Sequence, residues 1–233
     1  MFARLSAILL CLLLPTALIA APLRILCIGD SLTQGKGGDD PEMTYRVPLQ
    51  RMLSGLGIDY DFVGTRNTGL DSKAYPPTFD PDHEGYYGET TKQVQRHLHE
   101  TLPRFAAPDV ALIHLGTNDL GHWDIEASIS RPLTRLVHDI RARNSHVAIF
   151  IGEPNFHGLK ATWRAIVLAA FARRMTSDDS PVVFVPTPET WSETRDTFDG
   201  THPNVQGQLK LASAWLGAMS PVVLEPDTRL ASR

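Results

Sequence analysis

Leu23-Arg24-Ile25-Leu26-Cys27-Ile28-Gly29-Asp30-Ser31-Leu32-Thr33-Gln34-Gly35 decides how this chain is read. Its first half is an apolar run of strand length, and its second half is a Gly-bounded segment that no strand continues. Ser31 therefore stands where a strand breaks. In an open α/β sheet the carboxyl ends of the strands form the crevice that binds ligands, and a following helix aims backbone N–H groups into it. Gly-Asp-Ser is also an ordinary turn in which Asp and Ser bond their own backbone, so the serine needs partners before it reads as a nucleophile. Asp199-Gly200-Thr201-His202-Pro203-Asn204 supplies them, a carboxylate and an imidazole three residues apart. Serine, histidine and aspartate are the parts of a hydrolytic triad.

Working outward, apolar runs at 58–64, 109–115, 146–152 and 182–185 read as further strands. Helical spacing predicts helices over 45–56, 90–102, 125–143 with a break near Pro132, 160–177 and 205–219. Residues 66–88 and 187–204 read as loops. Strands alternating with helices predict an α/β fold: one doubly wound domain over 22–219 with a parallel sheet of about five strands, and a peripheral tail over 220–233.

Residues 1–21 read as a separate unit. Arg4 gives a positive start, 5–20 an apolar centre, and Ala20-Ala21 small residues for cleavage, the pattern of a secretory leader. Pro15 interrupts the apolar run, which is short for crossing a bilayer, so no stable membrane anchor is expected after cleavage and the location expected is secreted or periplasmic. The 233 residues, 42% hydrophobic and 21% charged, are ordinary globular composition. A formal charge of −4 without a basic cluster argues against nucleic acid as a partner. Beyond the leader Cys27 is the single cysteine, so no internal disulfide is available, and its place inside a strand predicts a buried, inert thiol.

An ester hydrolase needs a nucleophile, a base, a carboxylate to orient the base, and donors for the developing oxyanion. Ser31, His202 and Asp199 fit the first three roles. Asn118, at the end of the strand over 109–115, and Gly88, at the end of the long loop, join Ser31 as candidate oxyanion donors. The pH dependence expected is that of an imidazole base, with activity rising as His202 loses its proton.

These blocks resemble the GDSL, or SGNH, hydrolase family. Gly29-Asp30-Ser31-Leu32 looks like its first block, the loop ending at Gly88 its second, Gly116-Thr117-Asn118-Asp119 its third, and Asp199-Gly200-Thr201-His202-Pro203 its last. The Gly-x-Ser-x-Gly elbow of ordinary α/β-hydrolases is absent around Ser31. The resemblance implies a flavodoxin-like fold without cofactor. Residues 29–35, Tyr45-Arg46, 58–64 and Asp82-His83-Glu84-Gly85 further resemble the family three carbohydrate esterases, typified by acetylxylan esterases, which implies an acetylated carbohydrate as substrate. That branch often carries Trp where this chain has Glu89, and an acid there would alter the acceptor pocket. Longer acyl esters, acetyl transfer, or an inactive carbohydrate-binding scaffold are the competing readings.

Tyr86, Tyr87, Trp123 and Trp191 are candidates to stack on sugar rings, whereas Trp163 is expected to pack its helix. His83 and Glu84 would line the cleft or anchor the loop, and His114 belongs to the core. Arg46 would bind an anion or pair with an acid, and Asp30 would cap a turn. No metal site is expected: His97 and His99 lie two apart on a helix and point apart, and the acidic runs Asp39-Asp40 and 80–82 are the least implausible calcium ligands.

Overall fold

The computed structural model describes residues 21–36, 44–72, 74–119, 121, 124–156 and 159–224. Strand β1 (Leu23–Gly29) is followed directly by a single helical turn, α1 (Ser31–Gln34), and then by helix α2 (Arg46–Gly55), which leads to β2 (Tyr60–Val63). A two-residue strand, β3 (Glu84–Gly85), precedes α3 (Thr91–Thr101) and β4 (Val110–His114). A π-helical turn at Glu126–Ser130 enters α4 (Arg131–Arg143), with Pro132 in its first turn, where proline's missing N–H costs nothing. The break expected near Pro132 is thus a change of helix type. Then follow β5 (Ala148–Gly152), α5 (Leu159–Met175), β6 (Val182–Val185), a short α6 (Glu193–Asp196) and α7 (Val205–Met219), which runs on into a π-helical turn at Ser220–Leu224.

All strands pair in parallel in the order β2-β1-β4-β5-β6. The sixth strand, β3, continues the β2 edge: the start of β1 pairs with β2, while Ile28 and Gly29 pair with Glu84 and Gly85. The chain winds outward in both directions from β1 and β4, so their adjacent carboxyl ends form the switch point where such sheets bind ligands. Ser31 lies there.

Alternation along the strands sorts the core into two layers. Ile25, Cys27, Val110, Leu112, Ala148 and Phe150 face α2 and α7, where Trp215 and Trp191 close the packing. Leu26, Ile28, Ala111, Ile113, Ile149 and Ile151 face the other way, against Val94 and Leu98 of α3, Leu133 and Leu136 of α4 and Leu168 and Phe171 of α5. Full burial of each such side chain is worth about 1.5–3 kcal/mol, so the two layers hold the sheet without covalent help. Cys27 is a buried free thiol, as its position predicts, and burial pushes it up to about 12.

Candidate active site

The serine is presented by a turn with no room to spare. A Cβ on Gly29 would lie 2.1 Å from Thr33 Oγ1 and 2.8 Å from the His114 carbonyl oxygen, so only glycine lets the strand end press against β4. Asp30 then caps α1, its Oδ1 accepting from Leu32 N at 3.0 Å. Ser31 is 4% exposed.

The histidine and its carboxylate come from one tight turn ahead of α7. Asp199 Oδ1 accepts from the backbone N–H groups of His202 (2.8 Å) and Thr201 (3.1 Å), while Phe198 N donates to the His202 carbonyl at 3.0 Å. Gly200 adopts a φ of +83°, the left-handed region where glycine is unstrained. A Cβ on Gly207 would meet the Asp196 carbonyl oxygen at 2.1 Å, so the glycine lets α7 seat against the turn. Asn204 caps α7 by accepting from Gln206 N and Gly207 N.

Across this turn Asp199 Oδ2 lies 2.8 Å from His202 Nδ1, and His202 Nε2 lies 3.0 Å from Ser31 Oγ. A carboxylate only accepts, so Nδ1 carries the proton and Nε2 is left bare to accept from the Ser31 hydroxyl. The three residues form one continuous hydrogen-bonded chain. Burial pushes the Asp199 carboxyl up, but the His202 amide and ring and the Thr201 amide outweigh it and bring it down to about 2. The acid therefore stays charged wherever the base is useful.

Gly88 turns with a φ of +74° between Tyr87 and Glu89. The Glu89 carbonyl accepts from Asn118 Nδ2 at 2.8 Å, which spends one amide hydrogen and leaves the second for a ligand. Asn118 sits in a 3₁₀ turn, Thr117–Asp119, and that turn is fixed because Asp119 Oδ2 accepts from Thr91 N and Thr91 Oγ1 at the start of α3. Arg164 of α5, 2% exposed, donates to the Asp119 carbonyl at 2.9 Å.

Residues 27–210 match the family described as GDSL-like Lipase/Acylhydrolase. The chain belongs to that family. A curated relative, a multidomain esterase of Ruminococcus flavefaciens, is 26% identical over 84% of this chain, and the chain spans 28% of that protein's length. Among solved structures, a family 3 carbohydrate esterase of Clostridium thermocellum is similar at a TM-score of 0.72 and 28% identity, covering 87% of this chain and 97% of that one. A carbohydrate esterase family 3 structure from Talaromyces cellulolyticus shares the fold at a TM-score of 0.73 and 23% identity, covering 87% and 99%.

Within this GDSL-family scaffold the aromatic candidates separate. Tyr87 is 43% exposed and its ring lies parallel to His202, centroids 6.1 Å apart. Tyr86 is buried instead: its hydroxyl donates to Glu84 at 2.5 Å, and its ring is held between His97 (4.3 Å) and the Arg66 guanidinium (4.7 Å). Trp191 is 4% exposed in the core against α7, so neither it nor Tyr86 faces a ligand. Trp123 lies outside the described residues. Trp163, expected to pack its helix, stands 58% exposed on α5. The Glu89 carboxylate turns along α3 to His97, 2.9 Å away.

Other expectations resolve into scaffolding. Arg46 meets carbonyls where an acid or anion was expected: it is fully buried and donates to the carbonyls of Thr33, Pro81 and Asp82 and to Tyr75 Oη. His83 and Glu84 are fully buried anchors: His83 Nδ1 accepts from Gly85 N, and Glu84 accepts from Thr65, Tyr86 and Thr101. Burial and the nearby Arg46 hold the His83 imidazole well below its ordinary value. His114 is buried beside Tyr45 and Trp215, as expected. Asp80 accepts from Phe62 N (2.7 Å) and Asp82 N, and among the described residues no group of three or more metal-binding side chains occurs. Asp39 and Asp40 lie outside the described residues. A concavity of about 680 Å³ between the residues after β6 and α7 contains no triad residue.

Two site neighbours escape the sequence reading. Phe198, 45% exposed, stacks on His202 at 5.8 Å, and Lys36 reaches Asp199. Only the adjacency of Phe198 to Asp199 could have flagged the first, and no sequence signal marks the second.

Proposed function

We propose that this chain is a serine esterase that removes O-acetyl groups from carbohydrate. The unbroken Asp199–His202–Ser31 hydrogen-bond chain carries the proposal. Ser31 Oγ attacks the ester carbonyl carbon while His202 Nε2 takes its proton, and Asp199 stabilises the imidazolium. The oxyanion of the tetrahedral intermediate accepts from Ser31 N–H, Gly88 N–H and the free amide hydrogen of Asn118. Collapse expels the alcohol, which takes the proton from His202. Water, deprotonated by the same nitrogen, then attacks the acyl-Ser31 ester, and collapse frees acetate as Ser31 Oγ takes the proton back from His202.

The carbohydrate half rests on likeness to the family 3 esterases and on two partly exposed rings, Tyr87 and Phe198, that stack on the catalytic His202. Aromatic faces suit the C–H surface of a sugar. Export to the cell exterior or periplasm is proposed on the leader composition of residues 1–21.

The test is acetate release from acetylated xylan, and turnover of a matched acetyl-to-octanoyl ester series, by the mature wild type beside Ser31→Ala. Serine-dependent release from the polysaccharide with little octanoyl turnover supports the reading. Preference for octanoyl esters makes the chain lipolytic, and no serine-dependent turnover overturns the esterase assignment.

A further inference from the structure

We infer that Lys36 is a positioning residue of this site: it clamps Asp199 and sets the pH at which His202 becomes a base. The inference rests on the triad roles proposed above for Asp199 and His202.

Lys36 Nζ lies 3.3 Å from Asp199 Oδ2, the same oxygen that accepts from His202 Nδ1 at 2.8 Å. Oδ1 is already taken by the Thr201 and His202 amides. The ammonium also stands 5.7 Å from the Tyr87 ring centroid, and that ring is parallel to His202. Lys36 thus joins three separate segments: the end of α1, the turn between β3 and α3, and the turn ahead of α7. It is tied closely to the nucleophile, because the neighbouring Gly35 N donates to the Ser31 carbonyl at 2.8 Å. Burial pulls the ammonium down, but its bonds to Asp199 and Tyr87 outweigh that and raise it, so it is charged throughout the working range.

A cation in this place acts on the base in a defined direction. A carboxylate alone favours the imidazolium and would hold the proton on His202 to higher pH. A second positive charge on the same oxygen competes for the carboxylate and repels the imidazolium, which favours the neutral ring. Lys36 therefore extends activity toward acid pH while holding Oδ2 on its bond to Nδ1.

The other groups around the pair leave this assignment clear. Ser31 and Phe198 bring no charge, Tyr87 is the ring under the ammonium, and the Asp196 carboxylate is taken by Lys210 at 2.7 Å. Glu89 is engaged with His97. Asp30, next to Ser31, is held by burial at about 7, and it is common to wild type and Lys36 variants, so the difference between them isolates Lys36.

The experiment compares wild type, Lys36→Met and Lys36→Arg by the pH profile of kcat/KM on an aryl acetate, and by NMR titration of the His202 ring. Lys36→Met should move the acidic limb and the ring titration upward by roughly half a pH unit, the size a partly exposed ion pair produces. Rates at the acid end should then fall more than at the alkaline plateau, with KM unchanged. Lys36→Arg should restore the wild-type limb, and about 1 M salt should shift the wild type toward the Met variant. An unmoved limb and titration in Lys36→Met, or an equal loss at every pH, overturns the inference. If that variant fails to fold, a wild-type titration indifferent to salt overturns it. The ring titration needs no turnover, so a shift seen without esterase activity upholds Lys36 and sinks the proposed reaction instead.

Discussion

The two halves of the site are built by opposite means. Residues 196–204 fix Asp199 and His202 relative to each other by bonds within a single turn: two amides on Asp199 Oδ1, the Thr197–Pro203 bridge, and Gly200 N on Thr197 Oγ1. The segment that delivers Tyr87 and Gly88 is held almost wholly from a distance. Gln34 Oε1 accepts from Tyr87 N, Glu84 gathers hydroxyls from Thr65 and Thr101, and Arg46 ties the Thr33 carbonyl of α1 to the Pro81 carbonyl of the loop. The first half is a rigid local unit, and the second is as stable as the contacts that staple it. Damage to the first should therefore appear as lost chemistry on an intact fold, and damage to the second as lost stability.

The sharpest cut is Asp199→Asn. It keeps the shape of the turn but gives Nδ1 the wrong partner, so kcat should drop by about 10³–10⁴-fold with Tm nearly unchanged. A mild effect would remove Asp199 from the mechanism. Asn118→Ala comes next, with a loss on the order of 10²–10³ in kcat, corresponding to about 2.7–4 kcal/mol, and little change in KM. Arg46→Met should reverse the pattern, costing about 3 kcal/mol in urea unfolding because buried carbonyls lose their donor. Its remaining folded fraction should turn over at near wild-type kcat; a kcat lost in step with Asn118→Ala would mean the two halves are not separable.

The smallest effect is expected at Asp30, which sits between the halves. Its Oδ2 finds no hydrogen bond of ordinary geometry, although the Thr117 hydroxyl stands nearby, and burial raises the carboxyl from 3.8 to about 7. Because the folded value is raised, the fold favours the neutral acid: the contribution of this group to stability is greatest below about pH 4 and declines as pH climbs through 7. Asp30→Asn should flatten that decline and leave the variant more stable than wild type at pH 8. Thermal melts between pH 4 and 8 decide it, and an unchanged slope would refute the burial argument.

The same contrast explains what the sequence disclosed. A Pro-bounded apolar run located β6 and period-3.6 spacing located α7 to the residue, the other long elements came within one or two residues when the π-helical turn at Glu126–Ser130 is counted with α4, and the local Asp-Gly-Thr-His turn disclosed its own chemistry. Strand β3 stayed hidden, since two residues carry no period, and it exists through its register with Gly29. Tyr86 and Trp191 were misplaced for a related reason: a loop rich in aromatic residues reads as a binding surface until the partners that bury it, His97 and the α7 face, are known. Arg46, on α2, was misplaced because the carbonyls that take up its donors, those of Pro81 and Asp82, come from a distant loop. Lys36 finds Asp199 across 163 positions of sequence, a distance over which no pattern operates.

The bond from Phe62 N to Asp80 Oδ2 has a consequence for the molecule in crowded solution. Strand β2 ends the sheet, and an open row of amides there would be a template on which another chain could add a strand. The carboxylate occupies that row, and the opposite border, β6, is only four residues long and begins after Pro181. Among the described residues both flanks are blunted, and neither offers concentrated protein a long open seam along which copies could zip together.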